Sequence, residues 1–154
     1  MAATYPEMFA AGIAYSGVPA GCFVSQSGGQ AAWNSTCAQG QAIATSQQWA
    51  NVVKNMYPGY TGKYPRMQIY HGSADTTLYP RNYNETIKEW CGVFGYSTTA
   101  QSIKFNTPAA NYEKETYGDN LVGIYATGVG HSVPVRGDDD IAWFGLTGSV
   151  CVQR

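Results

Sequence analysis

Three short apolar runs limit what this 154-residue chain can fold into. They are Phe9–Tyr15, Arg66–Tyr70 and Leu121–Thr127, and each stops at a turn. Ser16-Gly17 follows the first, His71-Gly72-Ser73-Ala74-Asp75 the second, and Gly128-Val129-Gly130-His131 the third. Short apolar runs bounded by glycine read as buried strands of a parallel sheet. Helical patterns lie between them. Trp49, Val52, Val53, Met56 and Tyr57 form one apolar stripe, with Ser46 as N-cap and Pro58-Gly59 as the stop. Pro80 opens a second helix with Tyr83, Ile87, Trp90 and Cys91 on one face, and Gly92 and Gly95 are candidate stops. Strands alternating with helices define an α/β class: a mostly parallel sheet with flanking helices.

The remaining segments are less regular. Met1–Tyr5 reads as a helix tail closed by Pro6, because the residue before proline avoids the α region. No cap precedes that tail. Val18–Thr45 is polar and irregular, and long loops of this kind are usually functional. Ser97–Gly118 reads as an irregular hairpin, and Ile141–Leu146 as a terminal helical turn. Three strands alone would leave costly sheet edges. The expectation is therefore a partial domain over residues 1–154, one side of a larger sheet whose N-terminal half is missing.

Composition narrows the function. The net charge is −1, so nothing draws the chain to nucleic acid or to an anionic membrane surface. No apolar stretch approaches the roughly 20 residues that span a bilayer. Charged residues make up 12%, about half the ~25% of an average domain. The surface is instead rich in Tyr, Gly, Asn, Gln, Ser and Thr, which suits an extracellular protein handling neutral sugars. Met1–Phe9 lacks the basic and apolar regions of a signal peptide. Two sequons, at Asn34 and Asn84, together with four cysteines, nevertheless point to secretion.

Cys22, Cys37, Cys91 and Cys151 show no metal-ligand spacing, so no metal site is expected. Four cysteines allow three pairings. Cys22 with Cys37 would staple one polar loop and leave Cys91 with Cys151; four buried thiols are the alternative.

The chemistry concentrates at two strand ends. Asp75 follows the second strand and His131 the third. Catalysis in open α/β sheets sits at the carboxyl ends of strands. An acid and then a histidine in that place is the order found in α/β-hydrolases. A serine hydroxyl is a weak nucleophile until a histidine takes its proton. The histidine in turn needs a carboxylate to hold its tautomer and to stabilise the imidazolium. Asp75 could instead cap the turn that follows it, and His131 could be an ordinary turn histidine. His71 is the weaker candidate base. No Gly-x-Ser-x-Gly elbow occurs in the sequence, and Ser16, Ser73 and Ser132 do not fit that pattern.

Three stretches carry a resemblance. Met1–Cys22 resembles the segment after the nucleophile elbow in fungal acetylxylan esterases of carbohydrate esterase family one, to which polyhydroxybutyrate-depolymerase-like esterases are related. His71–Lys88 resembles that family's acid motif, and Gly128–Val135 its histidine motif. Trp143-Phe144-Gly145 matches its closing segment. The resemblance covers essentially the whole chain.

It implies the C-terminal half of an α/β-hydrolase, with Asp75 as triad acid and His131 as triad base. The serine and the oxyanion loop are implied to lie upstream of Met1, so this chain alone is expected to be inactive. The implied substrate is acetylated xylan or a similar plant polysaccharide. The complete protein is expected to be secreted, monomeric and free of cofactors and metals. Trp33, in the polar loop, is a candidate for contacting sugar or walling an acyl pocket; the alternative is a cover over the Cys22–Cys37 loop. No carbohydrate-binding module is expected after the closing segment. A feruloyl or polyester esterase on the same scaffold, or a non-catalytic sugar-binding protein, are the rival readings.

Overall fold

A computed structural model describes residues 1–24 and 32–147. A single turn at Met1–Tyr5, closed by the Tyr5 amide on the Met1 carbonyl at 2.8 Å, leads into a short 3-10 helix, Pro6–Met8. Pro6 therefore opens an element instead of ending one. Strand β1 (Ala11–Tyr15) follows, then α1 (Ser35–Ala38), α2 (Ser46–Asn55), β2 (Arg66–Gly72) and α3 (Arg81–Phe94). The chain continues through β3 (Ser102–Phe105), β4 (Tyr112–Gly118), β5 (Leu121–Ala126) and α4 (Gly137–Trp143).

One five-stranded sheet has the order β1-β2-β5-β4-β3. β1, β2 and β5 are mutually parallel, as the alternation of strands and helices predicts. β4 and β3 extend the sheet antiparallel. The segment read as an irregular hairpin is thus two further strands of the same sheet. Its sequence hid them: β3 is exposed along its whole length, so no apolar run marks it. β1 corrects a second expectation. It is one of the two edge strands among the described residues and is mostly half-buried, not enclosed on both faces.

The helices follow their stripes. Trp49 and Val53 of α2 are buried. Its N-cap is Thr45, not Ser46. Thr45 has the extended backbone a cap requires, its hydroxyl accepts from the Gln48 amide at 3.2 Å, and Gln48 Oε1 accepts from the Thr45 amide at 2.8 Å. This reciprocal pair is a capping box. In α3, Tyr83, Ile87, Trp90 and Cys91 are buried on one face. The helix ends at Gly95 in the left-handed region, φ 73°. Gly92 lies inside the helix because α2 crosses there: a β-carbon would stand 2.2 Å from the Ser46 carbonyl oxygen.

Two apolar clusters sandwich the sheet. Met67, Ile69 and Leu121 pack with Tyr83, Ile87 and Trp90 of α3. Tyr70, Val122 and Ile124 pack on the other face with Tyr112 and Val133, beside Trp143 of α4. Helix α4 is anchored on that second face. Trp143 Nε1 donates to the Gly12 carbonyl at 3.1 Å, and the Arg66 guanidinium lies over the Trp143 ring and donates to its carbonyl. Tyr15 donates to the Asp140 carboxylate at 2.9 Å. No helix among the described residues is long and apolar enough to cross a membrane.

Candidate active site

Parallel strands β2 and β5 are neighbours, and both run to the same end of the sheet. Asp75 lies three residues beyond β2 and His131 five beyond β5. Adjacent strands of one direction bring their following loops together, and here the loops interlock. The Ser73 amide donates to the Ala126 carbonyl and the Ala74 amide to the Val129 carbonyl, both at 2.9 Å. The Gly128 amide donates to Ser73 Oγ at 2.8 Å. Gly128 takes the left-handed backbone, φ 78°, that turns the second loop back over the first.

The result is a contact across 56 residues: His131 Nδ1 stands 2.9 Å from Asp75 Oδ2. The carboxylate is buried, whereas the His131 side chain is 42% exposed. Asp75 uses its two oxygens differently. Oδ1 accepts the Thr77 and Leu78 amides, each at 2.9 Å, while Oδ2 faces the ring. The turn-capping and histidine-holding readings of Asp75 therefore hold at once, one on each oxygen.

Burial by itself would raise the Asp75 pKa. The hydrogen bonds from His131 and from the Leu78 and Thr77 amides outweigh it and hold the carboxyl below its ordinary value. Asp75 is therefore an anion across the neutral range. An anionic acceptor at Nδ1 fixes His131 as the Nδ1–H tautomer and leaves Nε2 free to take a proton.

His71 is fully buried beside this pair. Its Nε2 lies 2.8 Å from the Leu78 carbonyl and 3.3 Å from Asp75 Oδ2. Burial, with the nearby His131, pushes its pKa below the usual histidine value against the pull of Leu78 and Asp75. The ring is neutral and is no base for outside chemistry, since nothing reaches it. The sequence carried a signal for it, the imidazole four positions before the acid, but not its direction.

Among the described residues no serine completes the arrangement. Ser73 Oγ is engaged by Gly128, and Ser16 Oγ is buried without a hydrogen-bond partner. Among the described residues no hydroxyl hydrogen-bonds the His131 ring. Nor do three or more His, Cys, Asp or Glu side chains gather as metal ligands there.

The other candidate residues lie elsewhere. Cys22 and Cys37 form a disulfide, with their α-carbons 5.9 Å apart. Cys91 is buried and its Sγ donates to the Ser97 carbonyl. Cys151 falls outside the described residues, and with it the Cys91–Cys151 pairing. Trp33 is 63% exposed next to the disulfide loop, its ring tilted against Phe23 at 5.5 Å. Asn34 is exposed, its Oδ1 capping α1 through the Cys37 amide, and Asn84 is exposed on α3.

No family model matches the chain. Individual proteins do. It is 68% identical over 147 residues to a probable acetylxylan esterase A of Aspergillus clavatus, and 62% identical over 147 residues to the acetylxylan esterase A of Aspergillus ficuum. Each match covers 95% of this chain and 48% of the relative. Among solved structures, an acetyl xylan esterase from Aspergillus awamori superposes with a TM-score of 0.92 at 60% identity, over 94% of this chain and 53% of that one. Over nearly its whole length the chain is homologous to Aspergillus acetylxylan esterases. It spans about half the length of the curated acetylxylan esterases it matches. The α/β sheet with flanking helices is the fold it shares with the Aspergillus awamori enzyme.

Proposed function

We propose that this chain supplies the acid and base of an esterase that removes acetyl groups from xylan. The observation that carries the reading is the 2.9 Å contact between buried Asp75 Oδ2 and half-exposed His131 Nδ1 at two adjacent strand ends. The relatives' names supply the substrate class, acetylated xylan. In this reading His131 Nε2 takes the proton of a serine as that serine attacks the acetyl carbonyl. The alkoxide of the sugar leaves with the proton from His131. A water, deprotonated by the same nitrogen, then releases acetate from the acyl-enzyme. Asp75 keeps the ring oriented and offsets the charge of the imidazolium.

The serine and the oxyanion donors are assigned to the half of the relatives' length that this chain does not span. By itself the chain is then inactive, since triad members act as a unit. Trp33 is assigned to the sugar, because an exposed indole offers a flat apolar face to a pyranose ring. The Cys22–Cys37 disulfide and the exposed sequons at Asn34 and Asn84 support an extracellular setting.

The test joins the chain to the remaining half of an Aspergillus relative and follows acetate release from acetylated xylan. His131→Ala and Asp75→Asn should each lower kcat by about 10⁴-fold or more, with folding retained. Turnover unchanged by either substitution would overturn the assignment.

A further inference from the structure

We infer that His71 is a positioning residue: its neutral ring packs against Asp75 from behind, and the dipole of its Nε2–H tempers how strongly the carboxylate engages His131. This rests on the assignment of Asp75 and His131 as acid and base. The Leu78 carbonyl only accepts, so the His71 Nε2 2.8 Å from it carries the proton. The same N–H is 3.3 Å from Asp75 Oδ2, the oxygen that meets His131. The hydrogen bond itself goes to the backbone carbonyl, and the carboxylate oxygen lies beside the positive end of the same N–H dipole. Both side chains are essentially inaccessible, at 1% and 0% exposure, so water does not compete for this contact.

The other ring nitrogen shows why the donor is neutral. His71 Nδ1 is buried with no hydrogen-bond partner. A protonated ring would bury an N–H with no acceptor, which the fold penalises more than an idle lone pair. His71 therefore sets a dipole against Asp75 without a positive charge. A lysine or arginine in its place would satisfy the carboxylate and cancel the field that His131 uses. A neutral imidazole steadies the side chain and leaves most of its charge facing outward. Oδ1 is held by two amides and Oδ2 packs 3.3 Å from the His71 ring, so the carboxylate is kept facing His131.

The chain contains only two histidines, so ring-nitrogen NMR of the ¹⁵N-labelled 154-residue protein reads both without ambiguity. His71 should appear as the neutral Nε2–H tautomer throughout the pH range in which His131 titrates. A charged ring, or the Nδ1–H tautomer, overturns the inference without any mutation. His71→Leu removes the donor and keeps the bulk. Freed of that dipole, Oδ2 should attract the His131 imidazolium more strongly, and the His131 titration midpoint should rise by about half a pH unit. His71→Gln places an amide N–H where Nε2 stood and should return the midpoint toward the wild-type value. A folded His71→Leu protein with an unchanged His131 midpoint also overturns it. The readout is the ring and not turnover, so failure here leaves the esterase reading intact, and failure of the xylan assay leaves this result interpretable.

Discussion

Gly72 lies directly beneath the carbonyl of Val129. A β-carbon at Gly72 would stand 2.2 Å from that oxygen and 2.5 Å from the Gly130 carbonyl oxygen. Both obstacles are backbone, so neither can swing aside like the end of a long side chain. The crossing lets the loop after β5 lie over the end of β2, and His131 reaches Asp75 only because it does so.

Gly72→Ala should therefore lift the Val129–His131 segment and lengthen the Asp75–His131 contact. The expected cost is about 1–3 kcal/mol of stability, the range for forcing extra atoms into a packed site. On the roles proposed for Asp75 and His131, the change should lower kcat of the joined protein more than it raises KM, because it displaces the proposed base and leaves the substrate surface alone. Urea unfolding of the chain and steady-state kinetics of the joined protein check the two parts.

Glu89 gives the fold a pH dependence on the alkaline side. It is fully buried on α3, one oxygen accepting the Ala20 amide at 3.1 Å and the other without a partner. Burial pushes its pKa up to about 8, against the lowering effect of the Ala20 amide. The folded state therefore holds a proton that the unfolded chain, with an ordinary carboxyl near 4.5, has lost. The stability from this group is complete below pH 4.5 and declines as pH rises toward about 8. At its steepest the slope is about 1.4 kcal/mol per pH unit. Glu89→Gln, uncharged at every pH, should flatten this limb. Chemical denaturation at several pH values between 5 and 8 measures it, and equal slopes in both proteins would refute the assignment.

The Cys22–Cys37 disulfide closes a loop with a sequence separation of 15. For a loop of that size the chain-entropy effect is about 3 kcal/mol. Reduction, or the double change Cys22→Ala with Cys37→Ala, should lower the thermal midpoint markedly. The loss should centre on the cluster of Cys22, Cys37 and Trp49 beside Phe23, and hydrogen exchange should quicken there before it does in β2 or β5. Uniform loosening of the sheet would argue against a local staple.

The sequence by itself determined the parts. Its apolar runs marked β1, β2 and β5, its stripes marked α2 and α3, and the polar residues after two runs singled out Asp75 and His131. These are local signals: a strand or helix shows which face it buries through its own periodicity, and a strand shows its end through its turn residues. Tertiary structure decided the adjacency. Nothing in the spacing required β2 and β5 to be neighbours across 54 residues of chain, and that pairing is what brings the carboxylate to the imidazole. β3 shows the other side of the same limit. Its alternation of Ser102, Ile103, Lys104 and Phe105 is only four residues long and its apolar side chains stay exposed, so its backbone pairing to β4 is what makes it a strand. The direction of His71 was equally out of reach, because a histidine's nitrogens choose partners through burial and distance, which exist only once the chain has folded.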